Sequence, residues 1–345
     1  MKDFVKMFSG QISDIFLWAL IACLLGFALT PVFTYFAYKY KFWKKQRSDD
    51  VTGAKAAVFT KLHAHKFRHH NIPTMAGLIF VVVISIVTII WNLDRAQTWL
   101  PLAALLGGAL IGLVDDIVNL VSDGKKTAGL RAPIKFAMVT ILGLIMGWWF
   151  FSRLGYSTVH IPHFGDLELG WLIVPLFAFV VVSMGNAVNI SDGLDGLAGG
   201  LAISAFAVYA FIALLQGNYG ISGFCFTVVG ALIAYVWFNI YPARFFMGDV
   251  GSFALGTSLG VVAMLTDTLF LLPFVGIVFV IEVGSSLVQI LSKKFLHRKI
   301  FVSAPLHHHL EANGWPEPKI TMRFWMLASV AGIASLILWI TGGVF

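Results

Sequence analysis

Two adjacent carboxylates, Asp115 and Asp116, close the apolar run in "LIGLVDDIVNL", residues 110–120. A charge at the edge of a bilayer is costly, and residues of this kind usually mark a site or a pathway. Three further polar clusters share the pattern. "NAVNISDGLDGLAGG" (186–200) carries Asn186, Asn189, Asp192 and Asp195. "FNIYPARFFMGDVGS" (238–252) carries Asn239, Asp249 and Ser252, and "APLHHHLEANGW" (304–315) carries His307, His308 and His309. Taken singly, each has a structural explanation. An aspartate can cap a helix, an asparagine can tie two helices together, Gly199 and Gly200 can serve close packing, and a histidine run can be a solvated loop. Four clusters, each at the end of an apolar run, would need four separate explanations of that sort.

The residue types narrow the chemistry. Asp115, Asp116, Asp192, Asp195 and Asp249 offer hard oxygen ligands with no cysteine nearby, which suits Mg²⁺ or Mn²⁺ better than zinc. Mg²⁺ commonly takes one or two carboxylates and leaves its other positions to phosphate oxygens and water. The glycines of "MGDVGS" let backbone N–H groups approach an anion. Histidines bind phosphate when charged and metal when neutral. Three adjacent loop histidines cannot all aim at one point, as a tetrahedral zinc site would require. The pattern implies a Mg²⁺-dependent site for a phosphate-rich substrate at membrane depth.

The elements that position these residues are apolar runs. Of 345 residues, 59% are hydrophobic and 12% charged, with a mean hydropathy of +0.86; soluble domains are roughly 45–50% apolar. Runs of about 18 residues or more, enough to cross the hydrocarbon core as a helix, recur along the chain. The expected fold is an all-α polytopic membrane protein, one domain over residues 1–345. Ten spans are predicted, at 14–37, 75–92, 99–116, 134–152, 171–190, 197–216, 221–240, 251–267, 269–291 and 322–342. The first run is too long for a signal-peptide core and lacks a small-residue cleavage site, so it reads as a retained span. Cys23 and Cys225 fall inside spans and read as buried small residues, not a disulfide.

The charge distribution orients the spans. Of the 24 Lys and Arg residues, 20 fall in the loops 38–70, 115–135, 190–197, 239–250 and 292–323. Only Lys2, Lys6, Arg95 and Arg153 fall on the other side. The richer side is the cytoplasmic one, so both termini lie outside and all four polar clusters face the cytoplasm. The outer loops are expected to hold no such cluster. The net charge of +7 follows from this topology and from attraction to anionic lipid and substrate; no nucleic-acid-binding fold accompanies it. A transporter would tend to carry polar sites near the midplane and internal repeats. Here the only mid-span charge is Glu282, and no repeat is visible. Glu282 is expected either to face a groove near the lipid head region or to hydrogen-bond a neighbouring helix, for example through Ser285.

"GLVDDIVNL", "NAVNISDGLDGLAGG", "FFMGDVGSFALG" and "APLHHHLEANGWPEPKI" resemble the polyprenyl-phosphate N-acetylhexosamine-1-phosphate transferases. The histidine segment and "IPTMAG" (72–77) resemble the branch that uses a muramoyl-pentapeptide donor. The resemblance runs from about residue 60 to the C-terminus. It implies ten transmembrane helices, a bacterial inner-membrane location and a Mg²⁺ requirement. The implied reaction moves phospho-MurNAc-pentapeptide from UDP-MurNAc-pentapeptide to undecaprenyl phosphate, giving lipid I and UMP for peptidoglycan synthesis. It implies no nucleic-acid partner and leaves a homodimer open.

Residue roles follow from the same resemblance. Asp249 is implied as the Mg²⁺ ligand, and Asp115 and Asp116 in catalysis or polyprenyl-phosphate handling. Asn189, Asp192 and Asp195 fall on the catalytic and nucleotide face, with Gly193 and Leu194 beside the uracil. Phe246 is the uracil-stacking aromatic and Asn239 a polar site residue. His307 and His308 belong to the sugar-phosphate side, and Thr74, Lys135 and His309 to substrate binding. A lipid phosphate acceptor needs positioning more than activation, and an aspartate can take its last proton. Asp116 is the first candidate and Asp115 the second; the sequence does not separate them. A one-step in-line attack and a two-step route through an aspartyl-phosphate both remain open.

Departures from the family pattern cluster around phosphate binding. His69 and His70 stand where the family often has a lysine before "TPTMGG", with Lys66 and Arg68 as nearby substitutes. Asn119 replaces a lysine three residues after the Asp pair, and Ala76 replaces the first glycine of "GG". A sister activity, transfer of GlcNAc-1-phosphate to polyprenyl phosphate, shares the Asp pair and "GD" motif. "PLHHHLEANGW" favours the muramoyl-peptide donor.

Overall fold

The computed structural model describes residues 2–43, 72–94, 96–121 and 129–342, with side chains from Gly10 onward. His69, His70, Lys66 and Arg68 lie outside the described residues.

The chain is almost entirely helical. The helices are α1 (Lys2–Lys39), α2 (Gly77–Trp91), α3 (Trp99–Val121), α4 (Ala132–Ser152), α5 (Ile173–Ser191), α6 (Leu197–Leu215), α7 (Tyr219–Asn239), α8 (Gly248–Leu265), the short α9 (Leu272–Val275), α10 (Ile277–Leu291), α11 (Leu306–Ala312) and α12 (Glu317–Thr341). Among the described residues, eight helices are long and apolar enough to cross a membrane. A ninth span forms if Leu269–Val275 and Ile277–Leu296, bent by 81°, count as one. The remaining predicted span, 75–92, is the 15-residue α2. At 1.5 Å per residue it reaches about 22 Å, short of the roughly 30 Å hydrocarbon core. It starts late because Ala76 and Gly77 donate their N–H groups to the carbonyls of Phe246 and Met247.

Helix α8 is the axis of the bundle, and all 18 of its residues are buried. It packs along α3 and α5, while α1 packs along α7. Small residues permit this closeness, as is usual between membrane helices. A Cβ on Gly108 would lie 2.3 Å from Thr257 Oγ1, and one on Gly112 only 2.1 Å from the Asp249 carbonyl oxygen. Gly112 therefore holds α3 against the first turn of α8, one turn before Asp115 and Asp116.

A two-stranded antiparallel hairpin, β1 (Thr158–Ile161) and β2 (Gly165–Glu168), interrupts the helices. It corrects the expectation that this end of the molecule carries no polar cluster. His160 Nδ1 lies 2.7 Å from Asp166 Oδ1, and its backbone N–H donates to Asp267 Oδ1 at 3.0 Å. Burial raises the Asp267 carboxyl above its ordinary range, with the Asp166 charge adding to this and His160 partly offsetting it. Burial, together with Asp267, also raises the Tyr156 hydroxyl. Asp267 follows the far end of α8, so this cluster sits a full helix length from Asp249. His160 and Asp267 are 107 residues apart in the chain, which is why no local pattern reveals it.

Candidate active site

The Asp pair, the "GD" turn and Lys135 form one unit. Asp115 and Asp116 lie on the buried face of α3 with Asn119 one turn on, Asp249 lies in the first turn of α8, and Lys135 in the first turn of α4. Lys135 Nζ is 2.9 Å from Asp115 Oδ2 and 2.5 Å from Asp249 Oδ2. It also lies 5.2 Å from the centre of the Phe253 ring. Asp115 Oδ1 accepts the Leu130 N–H at 2.6 Å, so both oxygens of this carboxylate are engaged. Asp116 Oδ2 accepts the Val250 N–H at 3.0 Å. All three carboxylates are buried. Removing charges from water at this depth is tolerable only because they are paired and hydrogen-bonded.

A left-handed turn makes room for them. Gly248 has φ +71, and a Cβ there would lie 2.5 Å from Asp116 Oδ2 and 2.8 Å from Thr74 Oγ1. Thr74 is thereby placed beside Asp116, and its own N–H is held by the Phe42 carbonyl at 2.8 Å. Phe246, half-buried, is fixed by backbone bonds on both sides: its N–H donates to Pro73 and its carbonyl accepts from Ala76. Asn189 of α5 donates to Ser252 Oγ of α8 at 2.9 Å.

The next turn supplies the floor. Asp192 is half-buried and Gly193 exposed at the end of α5. Asp195, by contrast, is buried and structural in its contacts: Oδ2 accepts the Ala243 N–H at 3.0 Å, and its own N–H donates to Glu317 Oε1 at 2.6 Å. Asn239 likewise accepts the Gly196 N–H and donates to the Phe245 carbonyl. Leu194 is buried in the apolar core. Asp195 and Asn239 thus brace the segment that carries Phe246.

The three histidines are not in a loop, as the sequence suggested, but on helix α11, and they go to three different places. His307 is buried, its Nδ1 2.7 Å from Glu282 Oε2. His308 Nδ1 is 2.7 Å from Glu311 Oε2. His309 Nδ1 accepts the Val302 N–H at 3.2 Å. Glu282 does not use Ser285: that hydroxyl, on the same helix, bonds the Glu282 backbone carbonyl. The partner of the carboxylate is His307. Glu282, Glu317 and Ser252 are the site-forming residues whose partners sequence reasoning missed. The only signal was the mid-span charge of Glu282.

Asp115 and Asp249 converge on one cation, the Lys135 ammonium. Among the described residues, no group of three or more His, Cys, Asp or Glu side chains could hold a metal ion. An ion that takes only one or two carboxylates and completes its shell with phosphate and water suits this donor set.

An α-helical integral-membrane protein with carboxylates and a lysine gathered at one helix mouth, and a histidine helix packed on the Asp192–Gly193 turn, is suited to anionic substrates at the bilayer edge. The comparisons with known proteins specify which kind. The family described as Glycosyl transferase family 4 matches residues 98–267. A phospho-N-acetylmuramoyl-pentapeptide-transferase of Chloroflexus aggregans is 35% identical over 336 residues, covering 92% of this chain and 88% of the relative. Proteins of the same name from Syntrophus aciditrophicus and Methylacidiphilum infernorum are 37% and 36% identical, each covering 76% of this chain and 79% and 78% of their own. The chain belongs to the phospho-N-acetylmuramoyl-pentapeptide-transferase family.

Proposed function

We propose that this protein transfers phospho-MurNAc-pentapeptide from UDP-MurNAc-pentapeptide to undecaprenyl phosphate, releasing UMP and leaving lipid I in the bacterial inner membrane. The observation that carries the reading is the shared ammonium between Asp115 and Asp249. It marks a place where positive charge is held at the edge of the apolar helices, where a lipid phosphate and a sugar diphosphate can meet.

The reaction is an in-line displacement. An oxygen of the acceptor phosphate attacks the β-phosphorus of the donor, and the new P–O–P bond forms as the bond to the oxygen shared with the α-phosphorus breaks. The electron pair leaves with UMP. Asp249, with Asp115, would hold Mg²⁺, which supplies neutralising charge to the diphosphate. Lys135 adds fixed positive charge beside it, and such preorganised charge is usually a large part of phosphoryl-transfer catalysis. Asp116, which lies beside the Gly248 turn and Thr74, is assigned as acceptor of the last proton of the lipid phosphate. Phe246, held rigidly by Pro73 and Ala76, is assigned to the uracil. The site faces the cytoplasm, where the nucleotide donor is, and residues 1–345 act as one domain.

The test is UMP release by purified protein with Mg²⁺, undecaprenyl phosphate and either UDP-MurNAc-pentapeptide or UDP-GlcNAc, beside Asp249→Asn. Metal-dependent release with the muramoyl donor alone, lost in the variant and on chelation, is expected. Release with UDP-GlcNAc alone would move the protein to the sister activity.

A further inference from the structure

Glu282 is a carboxylate in the middle of an apolar helix, and both it and His307 are fully buried. Such a charge in a membrane span is expensive unless it is paired and used. Two bonds run from His307 to Glu282: the ring Nδ1 at 2.7 Å from Oε2 and the backbone N–H to Oε1 at 3.2 Å. One residue is thus gripped at ring and backbone by both oxygens of one carboxylate. A carboxylate can only accept, so the ring nitrogen that faces it, Nδ1, carries an N–H. The other ring nitrogen, Nε2, has no hydrogen-bond partner among the described residues. It lies against Gly193, where an added Cβ would be 2.2 Å away. Gly193 is exposed and follows Asp192, so the free nitrogen sits one glycine away from the mouth of the site.

We infer that Glu282 is a positioning residue for the transfer reaction. It acts through His307, holding a proton on Nδ1 and turning Nε2 toward the Asp192–Gly193 turn, where it meets the sugar-phosphate of the donor. Outer-shell carboxylates that fix a histidine in this way are established devices at metal sites. Here the device spans two helices, α10 and α11. The inference rests on the transferase reading.

The test is a double-mutant cycle on the full-length protein, with kcat and KM read by UMP release. Glu282→Gln keeps the volume but no longer dictates the tautomer. It is expected to lower kcat about tenfold or more while leaving KM for both substrates within about twofold. In a His307→Ala background the same change is expected to alter kcat by less than about twofold, because the partner it acts through is gone. An equal loss in both backgrounds, or a wild-type kcat for Glu282→Gln, would overturn the inference. Should Glu282→Gln fail to fold, the ¹⁵N shifts of the wild-type His307 ring decide: a proton on Nδ1 supports the inference and one on Nε2 alone defeats it. If wild-type protein turns over only UDP-GlcNAc, the donor reading fails, and the same cycle on that donor still judges Glu282.

Discussion

Asp115 and Asp249, from different helices and 134 residues apart, share the ammonium of Lys135. Two buried carboxylates at this distance repel each other, so removing the cation between them should be felt both in stability and in chemistry. Lys135→Gln is expected to lose roughly 3 kcal/mol of stability, in the range for breaking a buried charge pair. It is also expected to lose most of its turnover. The missing charge has a natural substitute. Added Mg²⁺ should raise the melting temperature of Lys135→Gln in detergent more than that of wild type. An equal rise in both would mean that the ammonium and the ion do not share these carboxylates.

The Gly248 position tests the turn that shapes the pocket. Alanine there would adopt φ +71, which costs an L-residue about 1–2 kcal/mol, and its methyl would press on Asp116 and Thr74. Displacing reacting groups by about 1 Å costs on the order of a hundredfold in rate. Gly248→Ala is therefore expected to lose about two orders of magnitude in kcat in steady-state UMP release while still purifying as a folded protein. Activity within a few-fold of wild type would show that Asp116 is not at the reacting centre.

What was legible in the sequence was charge in the wrong place. Asp115, Asp116, Asp249 and the histidines stand out because apolar helices surround them, and the structure gathers the three aspartates at one mouth. Which groups touch was not legible. Lys135 is one of many cations on its side of the membrane, and only the fold puts it between two carboxylates. Glu282 was conspicuous, but its partner is 25 residues on in another helix. Hydropathy carried the second span back to residue 75, yet backbone bonds to Phe246 and Met247 delay the helix until Gly77. Hydropathy likewise runs through Gly276 without reporting that the chain bends there by 81°.

Two aspartates in one motif, Asp192 and Asp195, should behave differently. Asp195 is buried and satisfies the Ala243 N–H. Asp195→Ala strands that donor, at a cost of about 1–3 kcal/mol, and loosens the segment that carries Phe246. A lower melting temperature and a raised KM for the nucleotide donor are expected. Asp192 is half-buried at the end of α5, and Asp192→Ala should keep its melting temperature while kcat falls. A stable, fully active Asp195→Ala would remove the bracing role given to this carboxylate.

The cluster at the far end of α8 gives a pH-dependent prediction. Burial raises the Asp267 pKa, with Asp166 adding to the effect and the His160 N–H only partly offsetting it. Ionised Asp267 is therefore less favourable in the folded protein than in the unfolded one. Its contribution to stability is fullest below its unfolded pKa, near 4, and declines as pH rises through the higher folded value. Asparagine carries no charge, keeps an oxygen for the His160 N–H and tolerates the left-handed backbone at this residue, φ +51. Asp267→Asn is expected to raise the melting temperature at pH 7 by about 1 °C or more. The gain should shrink as pH is lowered toward 4. A variant less stable than wild type at pH 7, measured by thermal unfolding in the same detergent, would show that the Asp267 charge holds the hairpin by attraction to His160 and that its burial is not the larger effect.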